Sequence, residues 1–316
     1  MLGKGEVLLR RIIGFVMAGA ALVVAGGAVA EGESARQDML DDKESILAAI
    51  EAESFEEPVH VSSSMTRDTV RGEIHAVVDH SFRELLEMSD DLRAWCGITI
   101  LHFNIKACVY DPESDPPVIT LYTARMYYSE PEDAEASDFR FEVDNADQDF
   151  LLVRISGGEG PFNTYDYAIE MQAIPLGEER TLVEVSFSVS YGMLARWAQR
   201  VYFSTIGRHR IGFSATGEEN GERQYVRGLR GMMERNTVRL HLALQAGLEL
   251  PGEHQQRERF ERWHELTGRY PDQLREMDED TYLDNKRREF ANQQALQQAL
   301  YQRDGGRQDT SGGFAE

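Results

Sequence analysis

The sequence predicts an α+β fold in which a curved antiparallel sheet closes around a long C-terminal helix, and three observations predict it. Between residues 222 and 250, Leu229, Met233, Asn236, Leu240, Ala243, Leu244 and Gly247 recur at spacings of three and four, so a helix there carries one largely apolar stripe. The preceding chain alternates instead with period two: Tyr165, Tyr167, Ile169, Met171 and Ala173 share one strand face, and Val183, Val185, Phe187, Val189 and Tyr191 share another. Third, a sheet built from such strands has an apolar face to cover, and the helix stripe is of the kind that covers it. A sheet wrapped on a helix in this way encloses a pocket.

The chain of 316 residues opens with Lys4, Arg10 and Arg11, then an apolar run over 12–30 that closes on Ala28-Val29-Ala30. A charged start, an apolar centre and small residues before the cut describe a secretory signal over 1–30. The mature chain is then periplasmic or secreted; the alternative is retention of the run as an N-terminal anchor in the inner membrane, since about 18 apolar residues can also span a bilayer. The formal net charge of −22 excludes nucleic acid as a partner, because that binding needs basic patches that displace counterions.

Residues 31–57 form an acidic leader with one short amphipathic helix over 43–52, outside the domain core. Strands follow over 60–65 and 70–78, joined at Thr66-Arg67-Asp68. Ser81 caps a helix over 81–88, and Asp90-Asp91 open a second that ends near Trp95. Leu101, Phe103, Ile105, Ala107 and Val109 alternate with His102, Asn104, Lys106, Cys108 and Tyr110, which predicts one strand of ten residues. Further strands are predicted over 119–128, 139–143, 150–156, 165–173 and 181–191, with the acidic stretch 130–137 as a loop. Asp144, Asp147 and Asp149 lack the glycine and glutamate of a calcium loop, so 144–149 reads as a solvated turn and no metal is assigned. Gly157-Gly158-Glu159-Gly160 lacks the lysine of a phosphate loop.

Cys96 and Cys108 are the only cysteines. In an oxidising compartment they form either a disulfide worth about 3 kcal/mol or two buried thiols. Gly228 and Gly231 fall inside the predicted gripping helix, where each is costly, so a strand or a ligand needs the space they leave.

With these parts in order, Val77-Val78-Asp79, the capped Ser81-Phe82-Arg83-Glu84-Leu85-Leu86, Asp90 and Trp95 resemble the opening of the START-like (SRPBCC, helix-grip) superfamily. The resemblance spans 58–250, and Trp95-Cys96, the run from Asn104 to Cys108 and Glu234-Arg235-Asn236 look like an exported proteobacterial branch of it. It implies a hydrophobic cavity between sheet and helix and, with it, an apolar small molecule or lipid as ligand. Cyclase and aromatase types in the superfamily imply an enzyme as the alternative, although no catalytic residue or cofactor is assigned.

Candidate ligand contacts are His102, Asn104 and Lys106 as a polar stripe, Tyr165 and Tyr167 on the sheet, and Asn236 on the helix, where a protein partner competes with a ligand group. Charge reverses beyond Glu184: no acid occurs before Glu218, while Arg196, Arg200, Arg208 and Arg210 do. Arg196, Trp197, Arg200 and Tyr202 therefore form a candidate lid or peripheral membrane contact, competing with internal pairing of the arginines. Beyond Pro251 a helical extension, 251–303, is predicted as two helices over 255–267 and 271–302, followed by a disordered tail over 304–316. The extension offers a surface for a protein partner, and its removal from Glu253 onward is expected to leave a stable domain. That is the third functional reading, an envelope interaction module.

Overall fold

The computed structural model describes residues 32–53, 55, 57–146, 149–160, 164–192 and 209–311. The predicted signal segment and the basic aromatic stretch of Arg196, Trp197, Arg200 and Tyr202 lie outside these residues. A helix over 32–52 (α1) precedes two strands, β1 (Val59–Met65) and β2 (Thr69–Val78), and two short helices, α2 (Phe82–Ser89) and α3 (Leu92–Thr99). Strands β3 (Ile105–Asp111), β4 (Val118–Thr123), β5 (Glu135–Ala146), β6 (Leu151–Gly160), β7 (Thr164–Pro175) and β8 (Thr181–Tyr191) complete an antiparallel sheet in the order β1-β2-β8-β7-β6-β5-β4-β3. A separate hairpin, β9 (Ile211–Glu219) and β10 (Glu222–Arg227), leads into the long helix α4 (Gly228–Glu249). Helices α5 (Gln256–Gly268), α6 (Pro271–Leu274) and α7 (Glu279–Ser311) follow. This is the α+β grip the sequence predicts. None of the described helices is long and apolar enough to cross a membrane.

The sheet grips α4 by close approach. A Cβ added at Gly72 on β2 would stand 2.6 Å from Thr237 Oγ1 and 3.1 Å from the Met233 carbonyl, so glycine lets helix and strand meet. Gly231 resolves the choice between strand and ligand: its added Cβ would lie 2.9 Å from the Val226 carbonyl, so the hairpin takes the space. Gly228 answers a different need, a φ of 69° at the helix start.

The gripping helix begins at residue 228, not 222, because Glu222–Arg227 pair with β9. Nor does α4 carry a single apolar stripe. It is buried on several sides, and Glu234, Arg235, Arg239 and His241 are buried along with Val238, Leu242 and Leu244.

The leader is a second correction. Met39 and Ile50 of α1 pack with Phe150, Leu152, Ile174 and Leu182 in a small core on the sheet's outer face, so the leader belongs to the fold. Strand bounds also move: β3 begins at Ile105, β4 ends at Thr123, β5 begins at Glu135 inside the supposed loop and runs to Ala146 into the supposed turn, and β6 runs on through the glycines to Gly160. The predicted last helix divides into α6 and α7, and α7 runs on to Ser311 through much of the expected tail.

Cys96 and Cys108 form a disulfide across 12 residues, with Cα atoms 5.1 Å apart. It ties α3 to β3. Replacing both cysteines by serine is expected to lower stability by about 3 kcal/mol, read as a lower denaturant midpoint.

Helix α7 packs along β3, the sheet's edge. The Cys108 N–H donates to Gln293 Oε1 at 2.8 Å, the Tyr110 N–H donates to Gln297 Oε1 at 2.9 Å, and Gln297 Nε2 returns a bond to the Tyr110 carbonyl. Two glutamines four residues apart thus stand in for a missing strand, which covers an edge otherwise open to pairing.

Candidate functional site

The concave face is filled toward the C-terminal end of α4, and toward its N-terminal end several apolar side chains among the described residues are half-buried. In the filled part, Trp95 packs on Phe141 with ring centroids 5.7 Å apart, and Ile74, Val153, Met171, Val185 and Leu242 complete the packing. At the other end, Tyr167, Ile169 and Phe187 of the sheet and Leu229 and Met232 of the helix are half-buried. Of these, Tyr167, Phe187, Leu229 and Met232 pack against one cluster, Val70, Val189, Tyr191 and Met233.

Register decides which sheet residues face this patch. Ile169 pairs with Phe187 and Met171 with Val185, so these share the concave side. Tyr165 does not join them: the register shifts between Tyr165 and Ala168, with Asp166 at a φ of 51°. That bulge turns Tyr165 to the outer face opposite Ser190, where it is 37% exposed. Tyr167 stays, its hydroxyl 2.7 Å from Thr164 Oγ1 and its ring 5.9 Å from that of Phe187. Burial raises the Tyr167 phenol above its ordinary value, so it remains neutral.

The predicted polar stripe of His102, Asn104 and Lys106 is not formed, because His102 and Asn104 precede β3 in a turn. Lys106 is fully buried, and its ammonium donates to the Phe103 carbonyl at 2.7 Å and to Glu289 at 2.9 Å. Lys286 reaches the same carboxylate at 2.7 Å and adds bonds to the carbonyls of His102 and Ile105. Two buried lysines therefore share one buried glutamate where α7 meets β3. Asn236 accepts from Arg239 Nη1 at 3.2 Å and lies beside His102, so its partner is protein. His102 and Asn236 thus come together, with Lys106 close enough to act on His102, while Tyr165 and Tyr167 lie elsewhere.

Glu234-Arg235-Asn236 has a structural explanation. Glu234 is fully buried and accepts from Ser63 Oγ at 2.6 Å, from the N–H groups of Phe213 and Ser214, and from the Ser214 hydroxyl. It therefore ties β1 and β9 to α4. Arg235 donates to the Ile211 carbonyl at 2.9 Å.

Among the described residues one group has metal-ligand chemistry, Glu73, His75 and Glu184 on the outer face, with ligand atoms within 4.8 Å of one another. Arg71 already lies 3.2 Å from Glu73 and 3.6 Å from Glu184, so a guanidinium occupies the place a cation would take.

At the far end of α4, Glu57, His241, Gln245 and Glu249 line a cavity of about 280 Å³. His241 is 2% exposed, and Nδ1 has no hydrogen-bond partner. Burial alone lowers its pKa to about 4 from 6.5. The folded state then binds fewer protons than the unfolded one between those values, so stability falls as pH drops from 6.5 toward 4. A loss of about 3 kcal/mol over that span is expected from this group. His102 acts in the same direction, its pKa held well below the ordinary value first by burial and then by Arg239. Thermal melts at stepped pH check this; His241→Met should flatten the slope and leave only the part due to His102 and the acids.

No family model matches the chain, and no curated protein matches it. Solved structures similar to it include the Zhui aromatase/cyclase from Streptomyces sp. R1128, 13% identical over 62% of this chain and 96% of that one, with a TM-score of 0.34. Human StAR-related lipid transfer protein 5 is 16% identical over 57% of this chain and 89% of its own, also at 0.34. A fragment of a STAR-related lipid transfer protein from Xanthomonas axonopodis is 12% identical over 49% and 89%, again at 0.34. Identities this low say nothing of a shared ligand or reaction.

Proposed function

We propose that this chain binds an apolar small molecule, a lipid or related metabolite, on the concave face at the N-terminal end of α4. The observation that carries the reading is the ring of Tyr167, Ile169, Phe187, Leu229 and Met232, five large apolar side chains left half-buried between sheet and helix. Covering such surface is worth roughly 25 cal/mol per Å², so an acyl chain laid along it gains affinity from area alone. The Tyr167 hydroxyl, 2.7 Å from Thr164 Oγ1, is a polar group beside the ring that would orient a ligand.

Export is part of the proposal. The signal pattern over 1–30 supports it, as does the closed Cys96–Cys108 bond, since disulfides persist in oxidising compartments. Arg196, Trp197, Arg200 and Tyr202 would meet anionic headgroups during exchange with a membrane.

Native mass spectrometry of the protein purified from its own envelope, followed by organic extraction, tests the proposal. A discrete co-purifying lipid mass is the expected result. An empty protein that also ignores a panel of lipids and sterols would sink it.

A further inference from the structure

A second cavity, of about 390 Å³, lies between α3, β3 and α7 and is remote in the fold from the concave apolar ring. Its size falls within the range of small-molecule sites. The Cys96–Cys108 bridge forms part of its wall, with Phe290 and Tyr301 as aromatic lining.

Arg259 also lines it and is 5% exposed. Among the described residues no carboxylate lies within ion-pair distance of this guanidinium. Its one hydrogen bond runs from Nη1 to the Leu250 carbonyl at 3.2 Å, and Nε is buried without a partner. A guanidinium has five N–H groups to satisfy, and a buried charge left unpaired costs several kcal/mol. Burial accordingly lowers the Arg259 pKa, with Glu258 and Asp91 opposing weakly from a distance.

The acids at the rim are engaged elsewhere. Asp91 caps α3 by accepting from the N–H groups of Arg93 and Ala94, and Glu253 pairs with Arg93.

A second donor lines the same space. Gln293 is 8% exposed, and because its Oε1 must accept from the Cys108 N–H, its amide NH₂ is the end turned away from the strand. That NH₂ makes no hydrogen bond among the described residues, and Gln294 and Gln298 add exposed amides to the lining. A buried guanidinium with one acceptor, its Nε unpartnered, and an amide with no partner among the described residues line a cavity of ligand size. The chemistry that completes them is an anion with several acceptor oxygens.

We propose that this cavity is an oxyanion site, in which a carboxylate or phosphate group pairs with Arg259 and accepts from Gln293. The bound group neutralises the buried guanidinium, and Phe290 and Tyr301 receive whatever apolar body it carries. The site does not depend on the concave face, and the two fail separately.

Calorimetric titration of the full chain with inorganic phosphate, with octanoate and with neutral octanol tests the assignment. Saturable binding of an anion, at least tenfold weaker in Arg259→Gln, is the expected result. Tighter binding of octanoate assigns the group to a molecule with an apolar tail, and tighter binding of phosphate assigns a free oxyanion. Without ligand, Arg259→Gln should melt at or above the wild-type temperature because an unpaired buried charge has gone; a purely structural arginine would lower it. Gln294→Glu, at an exposed position, puts a carboxylate where the anion sits and should weaken binding to a similar degree, and it carries the test if Arg259→Gln does not fold. Phe187→Asp, on the concave face, should leave anion binding unchanged. No saturable binding of either anion, or wild-type affinity in Arg259→Gln and Gln294→Glu, would overturn the proposal. A loss in Phe187→Asp equal to that in Arg259→Gln would overturn it as well.

Discussion

Ending the chain at Gly252 is expected to abolish cooperative folding. Phe260, Trp263, Leu266, Leu274 and Tyr282, all beyond that point, are 4%, 2%, 0%, 3% and 1% exposed and belong to the main core. Losing a buried side chain of this size costs about 2–5 kcal/mol, and a whole domain is stable by only about 5–15 kcal/mol. Five such losses exceed that total before polar groups are considered. The cut also removes Glu289 from Lys106 and takes away the glutamines that cap the N–H groups of Cys108 and Tyr110. Circular dichroism of the truncated chain should show no sigmoidal melt. A cooperative transition would mean that the extension is an appendage, as its polar composition suggests when read alone.

The second large effect is expected at Glu289. Replacement by glutamine leaves Lys106 and Lys286 buried with no counter-charge, and breaking a buried ion pair on one side costs about 3–5 kcal/mol. The carboxylate is 1% exposed, so solvent screening offers little relief. Burial lowers the Lys286 pKa to about 8 against the pull of Glu289, and lowers that of Lys106 as well. A lysine whose folded pKa lies below its unfolded value binds fewer protons when folded. Its share of stability is therefore least below pH 8 and grows as pH rises toward the ordinary lysine range. Tyr282, whose phenol is raised well above its usual value by burial, works the other way above about pH 10. Wild-type stability from these groups should rise between about pH 8 and 10, as the lysine share is gained, and then fall as the Tyr282 share is lost. In Glu289→Gln the rise should begin at lower pH, since the pull that keeps both lysines charged has gone. Denaturant melts at stepped pH measure both the loss and the shift.

Local patterns made much of the sheet legible. Strand β8 occupies Thr181–Tyr191 as its alternation predicts, and Ser81 caps α2 in a reciprocal bond with Glu84. The hairpin β9-β10 was legible too and was missed: Asn220-Gly221 is a strong two-residue turn signal, and both residues have positive φ, 55° and 83°. The helical spacing downstream drew Glu222–Arg227 into the wrong element. Lys106 is a different case. Its partner Glu289 lies 183 residues away, and alternation cannot reveal that a charged residue faces a helix rather than a ligand. The bulge at Asp166, which turns Tyr165 outward, left no mark in composition or period. Of the apolar ring, Tyr167, Ile169, Phe187 and Leu229 were all on predicted apolar faces, but which end of the grip holds the half-buried side chains depends on how deeply each is covered.

The most direct test of apolar binding at the concave face is photo-crosslinking with a diazirine-bearing fatty acyl probe, mapped by peptide mass spectrometry. Saturable label on peptides containing Tyr167–Ile169, Phe187 and Leu229–Met232, displaced by unlabelled lipid and lost in Phe187→Asp, is the expected result. Label confined to α7, or label that lipid does not displace, would contradict a ligand held between sheet and gripping helix.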